Sequence, residues 1–453
     1  MASSTVSSPM SVLDRLGCYL VGLETSIFDE SKRKLLFALV LLHGNIVVYA
    51  FAYWITQPVL PYLSKSLGAD AVTFGYLQTV TNIMQILGGA AIGRYVDVYS
   101  PRLGMVVTTL GSAVAYLSLG FSFHTALLFL SRLPTCLMQC MQVAQSYVPK
   151  LLHTYGITEE HHTSVLMGRL ALSYGLGMVP GSACGGFLAE IFGFNFVAFF
   201  AGVLSLLIAA VDAQFLADVD DHKSDKKKDS ATAAVEAEKE IKKSEDVFGF
   251  KNYYKLLTTN KELRSSLLFT TIITAGFTMQ QSSFSVAAID TFDVSSSEMG
   301  MLMSTSAAVG VVVNTIGIKA PVQYFGEEKA IQYASTVILM MFLVYSQAKT
   351  KLHIVVLFFP LAVAAAFLYT VMTSLTSRTA PTEEQGSAIA LRHATRSVVG
   401  IVIPPVAGYV LQNYGFPATG LSAASCIFVA VTSARLFGLV ARPASPNPEK
   451  KTQ

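Results

Sequence analysis

Polar and apolar positions along this chain alternate in long blocks rather than in short periods. Twelve apolar stretches lie near 35–57, 72–93, 103–123, 126–148, 164–188, 193–215, 265–288, 298–318, 330–348, 352–376, 387–411 and 417–440. Each is close to the roughly 20 residues a helix needs to cross a bilayer. Ahead of them, Leu13, Leu16, Leu20, Leu23 and Ile27 fall on one helical face between Val12 and Ile27. That spacing predicts a short amphipathic helix on the membrane surface, the alternative being a frayed tail with chance periodicity. One block breaks the apolar series. Residues 217–264 hold 22 of the 61 charged side chains, 11 acidic and 11 basic, with Ala and Ser between them. Such a run buries too little surface to fold alone and reads as a tether. The expected organisation is a tail over 1–34, a six-helix bundle over 35–216, a charged linker over 217–264, a second six-helix bundle over 265–441 and a tail over 442–453.

Composition narrows the function. Only 13% of residues are charged and 52% are hydrophobic, whereas soluble domains carry about 25% charged residues. Most of the chain therefore has no water to face. The net charge of +3 is too small to point to nucleic acid. Cys18, Cys136, Cys140, Cys184 and Cys426 suggest neither a disulfide framework nor a zinc site. No metal cluster, nucleophile motif or phosphate loop is found, so neither an enzyme nor a cofactor is expected. The Ser-rich N-terminus lacks the apolar core of a signal peptide. Cationic residues favour one set of loops: Arg94, Arg102, Lys150, Lys319, Lys329, Arg378, Arg442 and Lys450, against Lys65, Lys349 and Lys351 on the other. Cytoplasmic loops carry the Lys and Arg excess, so both termini are expected in the cytoplasm, at the plasma membrane or an endomembrane.

The two halves repeat. Thr158-Glu159-Glu160 matches Thr382-Glu383-Glu384, Gly75-Tyr76-Leu77 matches Gly300-Met301-Leu302, and Phe192-Gly193-Phe194 matches Tyr414-Gly415-Phe416. Pro180 to Leu188 also resembles Pro404 to Leu411. Near-constant offsets predict two pseudo-symmetric six-helix bundles, an all-α membrane fold with a site near the midplane.

Three motifs carry more. In the fifth stretch Gly168, Gly177, Gly181, Gly185 and Gly186 are spaced so that three of them share a helical face. The loop after the second stretch reads GRYVDVYSPR and contains Gly93, Arg94, Asp97 and Arg102. The fourth stretch opens with Ser131-Arg132-Leu133-Pro134, and an arginine there needs a partner, a watery cavity or an interface to snorkel to. Together these resemble the signatures of the major facilitator superfamily. Pro61-Tyr62-Leu63-Ser64, Phe74-Gly75-Tyr76-Leu77-Gln78-Thr79 and Leu87-Gly88-Gly89 narrow the resemblance to its drug:proton antiporter branch. It departs from the pattern at Ser182, where the family has proline, and at Val98, Ser100 and Pro101 of the loop.

The resemblance implies a twelve-helix transporter with alternating access, moving organic cations or drugs in exchange for protons. It makes the glycine series an antiporter motif, where plain helix packing is the other reading. It makes Gly93, Arg94, Asp97 and Arg102 a cytoplasmic latch, where an ordinary charged turn is the other. It also implies that the first, fourth, seventh and tenth stretches line the substrate cavity. There the polar and aromatic candidates are Asn45, Tyr49, Tyr53, Arg132, Gln139, Gln142, Gln280, Gln281, Phe284, Tyr369 and Thr373. Aromatic faces suit organic cations; the competing reading is a set of interhelical hydrogen bonds. Proton exchange lacks an evident carrier, because no Asp or Glu lies in the apolar middle of any stretch. His43 is the substitute nearest to hand, while His393 with Arg392 and Arg396 is expected at lipid headgroups. The reading is thus a monomeric transporter for a small organic solute in the lipid bilayer, with protons as the second partner. An uncoupled facilitative transporter and a non-transporting membrane adaptor or sensor are the alternatives.

Overall fold

A computed structural model describes residues 12–23, 32–157, 160–216, 257–379 and 385–437. Residues 1–11 and 24–31 of the expected N-terminal tail, most of the linker and the C-terminal tail lie outside them. Every regular element among the described residues is helical. In hydrocarbon a backbone must satisfy its own polar groups, and helices do so within one segment. The first half runs α1 (Val12–Val21), α2 (Arg33–Thr56), α3 (Leu60–Ser66), α4 (Ala71–Val98), α5 (Pro101–Gly120), α6 (Thr125–Leu130), α7 (Cys140–Thr154), α8 (Glu160–Phe192) and α9 (Phe194–Phe215). The second runs α10 (Lys261–Phe292), α11 (Ser296–Val312), α12 (Lys319–Phe325), α13 (Glu327–Tyr345), α14 (Lys351–Arg378) and α15 (Gln385–Phe437). Side chains start several of them: Ser100 Oγ accepts from the Leu103 amide, and Asn260 Oδ1 from the Leu263 amide.

Twelve spans are accounted for, with α6 and α7 forming one and α15 forming two across a kink at Gly415. Eight stretches of the described residues are long and apolar enough to cross a membrane on composition alone. The repeat read from the sequence reappears at the span junctions. Gly193 and Gly415 both stand at positive φ, 87° and 77°, a conformation that costs glycine nothing and other residues about 1–3 kcal/mol.

The fourth span is not the continuous helix expected over 126–148. It breaks into α6, a 3₁₀ turn at Leu133–Leu137 and α7. Pro134 has no amide proton to give the helix and crowds the turn before it. The 3₁₀ turn is pressed from both sides, by Gly88 of α4 against the Cys136 backbone and by Gly111 of α5 against Leu137. The N-terminal helix is also shorter than its sequence stripe. Cys18, Val21 and Leu23 turn inward, while Leu16 and Leu20 face out beside Tyr19. An Arg33–Asp14 pair at 3.5 Å ties α1 to α2, and Arg169 of α8 lies over the Tyr19 ring.

Two compact units result. The first comprises residues 1–68, 83–227 and 295–307, and the second comprises 69–82, 228–294 and 308–453. In the first, Gly177, Gly181 and Gly185 of α8 lie against the α2 backbone at Val47, Phe51 and Ile55. Gly186 turns to the other side and meets Ser296 of α11, whose Oγ donates to the Gly186 carbonyl at 3.1 Å. Gly300 of α11 sits on the Ser182 carbonyl. The second unit holds the counterpart of that crossing: Gly408 of α15 on Ala71 of α4, and Gly75 of α4 on Pro404. Gly186 and Ser182 stand 222 positions before Gly408 and Pro404, and Ser296 and Gly300 stand 225 after Ala71 and Gly75. Thr79 and Asn82 add side-chain bonds to the carbonyls of Ile401 and Gly400.

This packing sorts the glycine motif. A methyl at Gly185 would run into the Ile55 carbonyl, whereas Gly168 has nothing within 4 Å. Gly185→Val is therefore expected to destabilise the protein by about 1–3 kcal/mol through overpacking. Gly168→Ala should stay within about 0.5 kcal/mol of wild type. Thermal unfolding of the two variants in detergent checks the contrast.

Candidate functional site

The polar residues buried in the first unit gather on α2, α5, α7, α8 and α9. Asp212 of α9 is 0% exposed. Its Oδ1 accepts from Asn45 Nδ2 of α2 at 2.5 Å, and Cys140 Sγ of α7 lies 3.6 Å from Asn45 Oδ1. Thr109 Oγ1 of α5 is 3.4 Å from the second carboxylate oxygen and 2.8 Å from the Met105 carbonyl. A hydroxyl has one proton, and the shorter bond uses it, which leaves a lone pair facing Asp212. That arrangement suits a carboxyl group carrying its own proton. Asp212 makes no ion pair among the described residues.

One helical turn further along α2, the Tyr49 hydroxyl donates to the Met138 carbonyl at 3.0 Å. The break in the fourth span frees that carbonyl, since Met138 is non-helical with φ −77° and ψ 61°. Arg132 stands at the head of the 3₁₀ turn, 7% exposed. Tyr116 is buried in one cluster with Met138 at the end of that turn, and Tyr53 packs against the same cluster. Tyr53 packs edge-on against Trp54 with ring centroids 5.7 Å apart, and Trp54 Nε1 donates to the Tyr174 hydroxyl at 3.1 Å. Asn45, Tyr49, Tyr53 and Arg132 of the expected set are thus brought together. Asp212, Tyr116, Trp54 and Tyr174 join them and were not anticipated.

Other candidates have structural duties. Gln139 Nε2 donates to the Gln85 carbonyl at 2.9 Å and Gln142 Nε2 to the Gly89 carbonyl at 3.0 Å, so both clamp the broken span to α4. His43 Nδ1 is 2.8 Å from Ser173 Oγ, which gives its proton to the Arg169 carbonyl. The imidazole must then donate through Nδ1, and its buried Nε2 has no partner. That hydrogen-bond pattern is one a neutral ring makes in helix packing. Arg102 donates to the Ala213 carbonyl at the end of α9, and Arg94 is exposed. The Asp97 side chain lies outside the described residues.

In the second unit Gln280 and Phe284 are buried, with Phe284 stacked on Phe358 at 5.1 Å, while Gln281 is exposed. Thr373 Oγ1 bonds the Tyr369 carbonyl of its own helix. Tyr369 is held between two arginines of α15. Arg396 Nη1 donates to its hydroxyl at 2.8 Å, and Arg392 and Arg396 lie 5.0 and 5.2 Å from its ring centroid. His393 beside them is exposed. No group of His, Cys, Asp and Glu among the described residues could hold a metal.

The Major Facilitator Superfamily profile matches residues 42–346 and 331–453. The chain belongs to that superfamily. Solute carrier family 22 member 18 of Mus musculus is 27% identical over 368 residues, spanning 80% of this chain and 86% of the mouse protein. Solute carrier family 67 member A1 of Homo sapiens is 27% identical, spanning 80% of this chain and 83% of the human one. Multidrug resistance protein 2 of Bacillus subtilis is 22% identical over 67% of this chain and 70% of its own. Among solved structures, the nucleoside transporter NupG superposes with a TM-score of 0.69 at 13% identity, covering 89% of this chain and 99% of that one. A bacterial homologue of the human lysosomal transporter Spinster does so with a TM-score of 0.69 at 12% identity, over 91% and 100%. At such identities the superpositions speak for the fold. This major facilitator chain is accordingly an integral, multi-pass membrane transporter and not an enzyme.

The Asn45–Asp212 bond is open to a double-mutant test. Asn45→Leu strips a buried acceptor of its donor and should cost about 1–3 kcal/mol. Asn45→Leu with Asp212→Leu removes both ends and should cost less than the sum of the two single changes, as contacting residues do. Melting temperatures of the four proteins in detergent give the coupling.

Proposed function

We propose that this major facilitator protein moves a small aromatic organic solute by alternating access in exchange for protons, with Asp212 as the proton carrier. The observation that carries this reading is a carboxyl group fully buried in a membrane span with no ion-pair partner among the described residues. A charged Asp there is expensive, and a proton removes the charge. When the surroundings of α9 admit water, the same group can release it. The acid that proton exchange requires is therefore present, one turn from the end of the sixth span. The aromatic set around Arg132 supplies the surface for the solute. The organic-cation preference implied by the sequence resemblance finds less support, since the fixed charge among those rings is an arginine.

In this reading Gly93, Arg94, Asp97 and Arg102 remain the candidate cytoplasmic latch and both termini are cytoplasmic. Gly177, Gly181, Gly185 and Gly186 serve the antiporter motif through close helix contact. The two sequence halves, joined by the charged linker, are the rocking bodies.

The reading is tested in proteoliposomes with two permanently charged aromatic probes, benzyltrimethylammonium and benzenesulfonate. Uptake of the transported probe should change at least tenfold when a pH gradient is imposed. Asp212→Asn, which stays neutral at all pH, should keep exchange of that probe but lose the response to the gradient. Wild-type uptake indifferent to the gradient would leave facilitated diffusion in its place.

A further inference from the structure

The Arg132 guanidinium offers five N–H donors, and the acceptor it has found is Ser131 Oγ, 3.3 Å from Nε and 3.2 Å from Nη2. That oxygen already gives its own proton to the Leu128 carbonyl at 2.7 Å. No carboxylate pairs with Arg132 among the described residues. Tyr116 packs in one buried cluster with Met138 at the other end of the 3₁₀ turn, and its hydroxyl has no hydrogen-bond partner among the described residues, on a side chain only 4% exposed. Two kinds of strong donor thus sit here with one hydroxyl oxygen as their acceptor among the described residues. Buried polar groups left unmatched are costly, and a native structure retains them where something else completes them. The surroundings describe what that is. The 3₁₀ break beside Arg132 is the interrupted-helix geometry that membrane transporters place at binding sites. The Tyr53 ring packs against the same cluster as Tyr116 and Met138, and the Trp54 ring lies edge-on to it.

We propose that Arg132 and Tyr116 bind the anionic group of the transported solute, a carboxylate, sulfonate or phosphate, while the Tyr53–Trp54 pair takes its aromatic body. A guanidinium fork matches two oxygens of such a group, and the phenol supplies a third donor. This deepens the transport reading and rests on it. The solute is then an aromatic anion or zwitterion rather than a simple organic cation.

The chain carries its own reporter, because Trp54 is its single tryptophan. The full-length protein in neutral detergent is titrated with benzenesulfonate and, separately, with benzyltrimethylammonium while Trp54 emission is followed. Benzenesulfonate should produce a saturable change, and benzyltrimethylammonium should bind at least tenfold more weakly. Arg132→Gln should weaken the sulfonate at least tenfold, and Tyr116→Phe, which keeps the ring and removes the donor, about fivefold. If Arg132→Gln does not fold, the charge preference of wild type and the Tyr116→Phe loss still decide. Equal or tighter binding of the cation, or sulfonate binding that survives both substitutions, overturns the proposal. So does displacement of benzenesulfonate by phosphatidylglycerol but not by other aromatic sulfonates, which would make the occupant a lipid headgroup. The titration is run at equilibrium without a gradient. Its failure therefore leaves proton coupling standing, and a gradient-indifferent transporter leaves the anion site standing.

Discussion

Everything in this fold depends on helices coming close enough for backbone to touch backbone. In hydrocarbon there is no hydrophobic force between spans, because lipid tails are as apolar as leucine. Association then relies on dispersion over well-fitted surfaces and on short polar contacts. Gly177, Gly181 and Gly185 remove the side chains that would hold α8 away from α2, and the approach brings carbonyls of α2 against glycine Cα atoms. The same solution recurs where Gly186 and Gly300 join α8 to α11, and where Gly75 and Gly408 join α4 to α15. That close approach also places the polar side chains. Asn45 of α2 reaches across to Asp212 of α9, and Tyr49 of α2 reaches Met138.

A tightly packed scaffold makes its irregularities informative. Regular spans engage their own carbonyls, so a side chain that bonds one shares an acceptor that already has a partner. The fourth span is different. Pro134 breaks it, the chain passes through a 3₁₀ turn, and the Met138 carbonyl becomes available to Tyr49. Gln139 and Gln142 then anchor the restarted helix to α4 carbonyls. Unwinding a span costs backbone hydrogen bonds, and these side-chain bonds offset part of the loss. What remains is an arginine held at the break with its donors largely unspent.

Much of this could be read in the chain itself, and the reasons are physical. Glycine spacing is legible because an absent side chain inside a span has few uses other than close packing. Gly168 followed the family spacing yet faces open space, so spacing alone could not tell a packing glycine from one with another role. The repeat at Phe192-Gly193-Phe194 and Tyr414-Gly415-Phe416 was legible because a junction between spans demands positive φ. Asp212 was missed because it stands three residues before the end of α9, where the sequence already turns toward a charged linker. Its burial comes from Asn45, 167 positions away, and no local pattern records that. The signal that could have found it is the pair itself, two polar residues that each interrupt an otherwise apolar span. Gln139 and Gln142 illustrate the converse. An amide in a span has as many structural uses as functional ones, and only the neighbouring carbonyl decides.

The separation of Arg132 from Asp212 completes the argument. Each is a buried ionisable group in the same unit, and the simplest way to stabilise both would be to pair them. They are not paired: Arg132 has phenols around it, and Asp212 has an amide and a hydroxyl. A buried ion pair is self-sufficient, and breaking one by removing a partner costs about 3–5 kcal/mol. A transporter built on such a pair would have to break it in every cycle. Held apart, each group is left with a need that a mobile partner can meet, a proton for the acid and an anion for the base. In the proposed reading both partners can leave again, because neither group has a permanent counter-charge among the described residues to trap it.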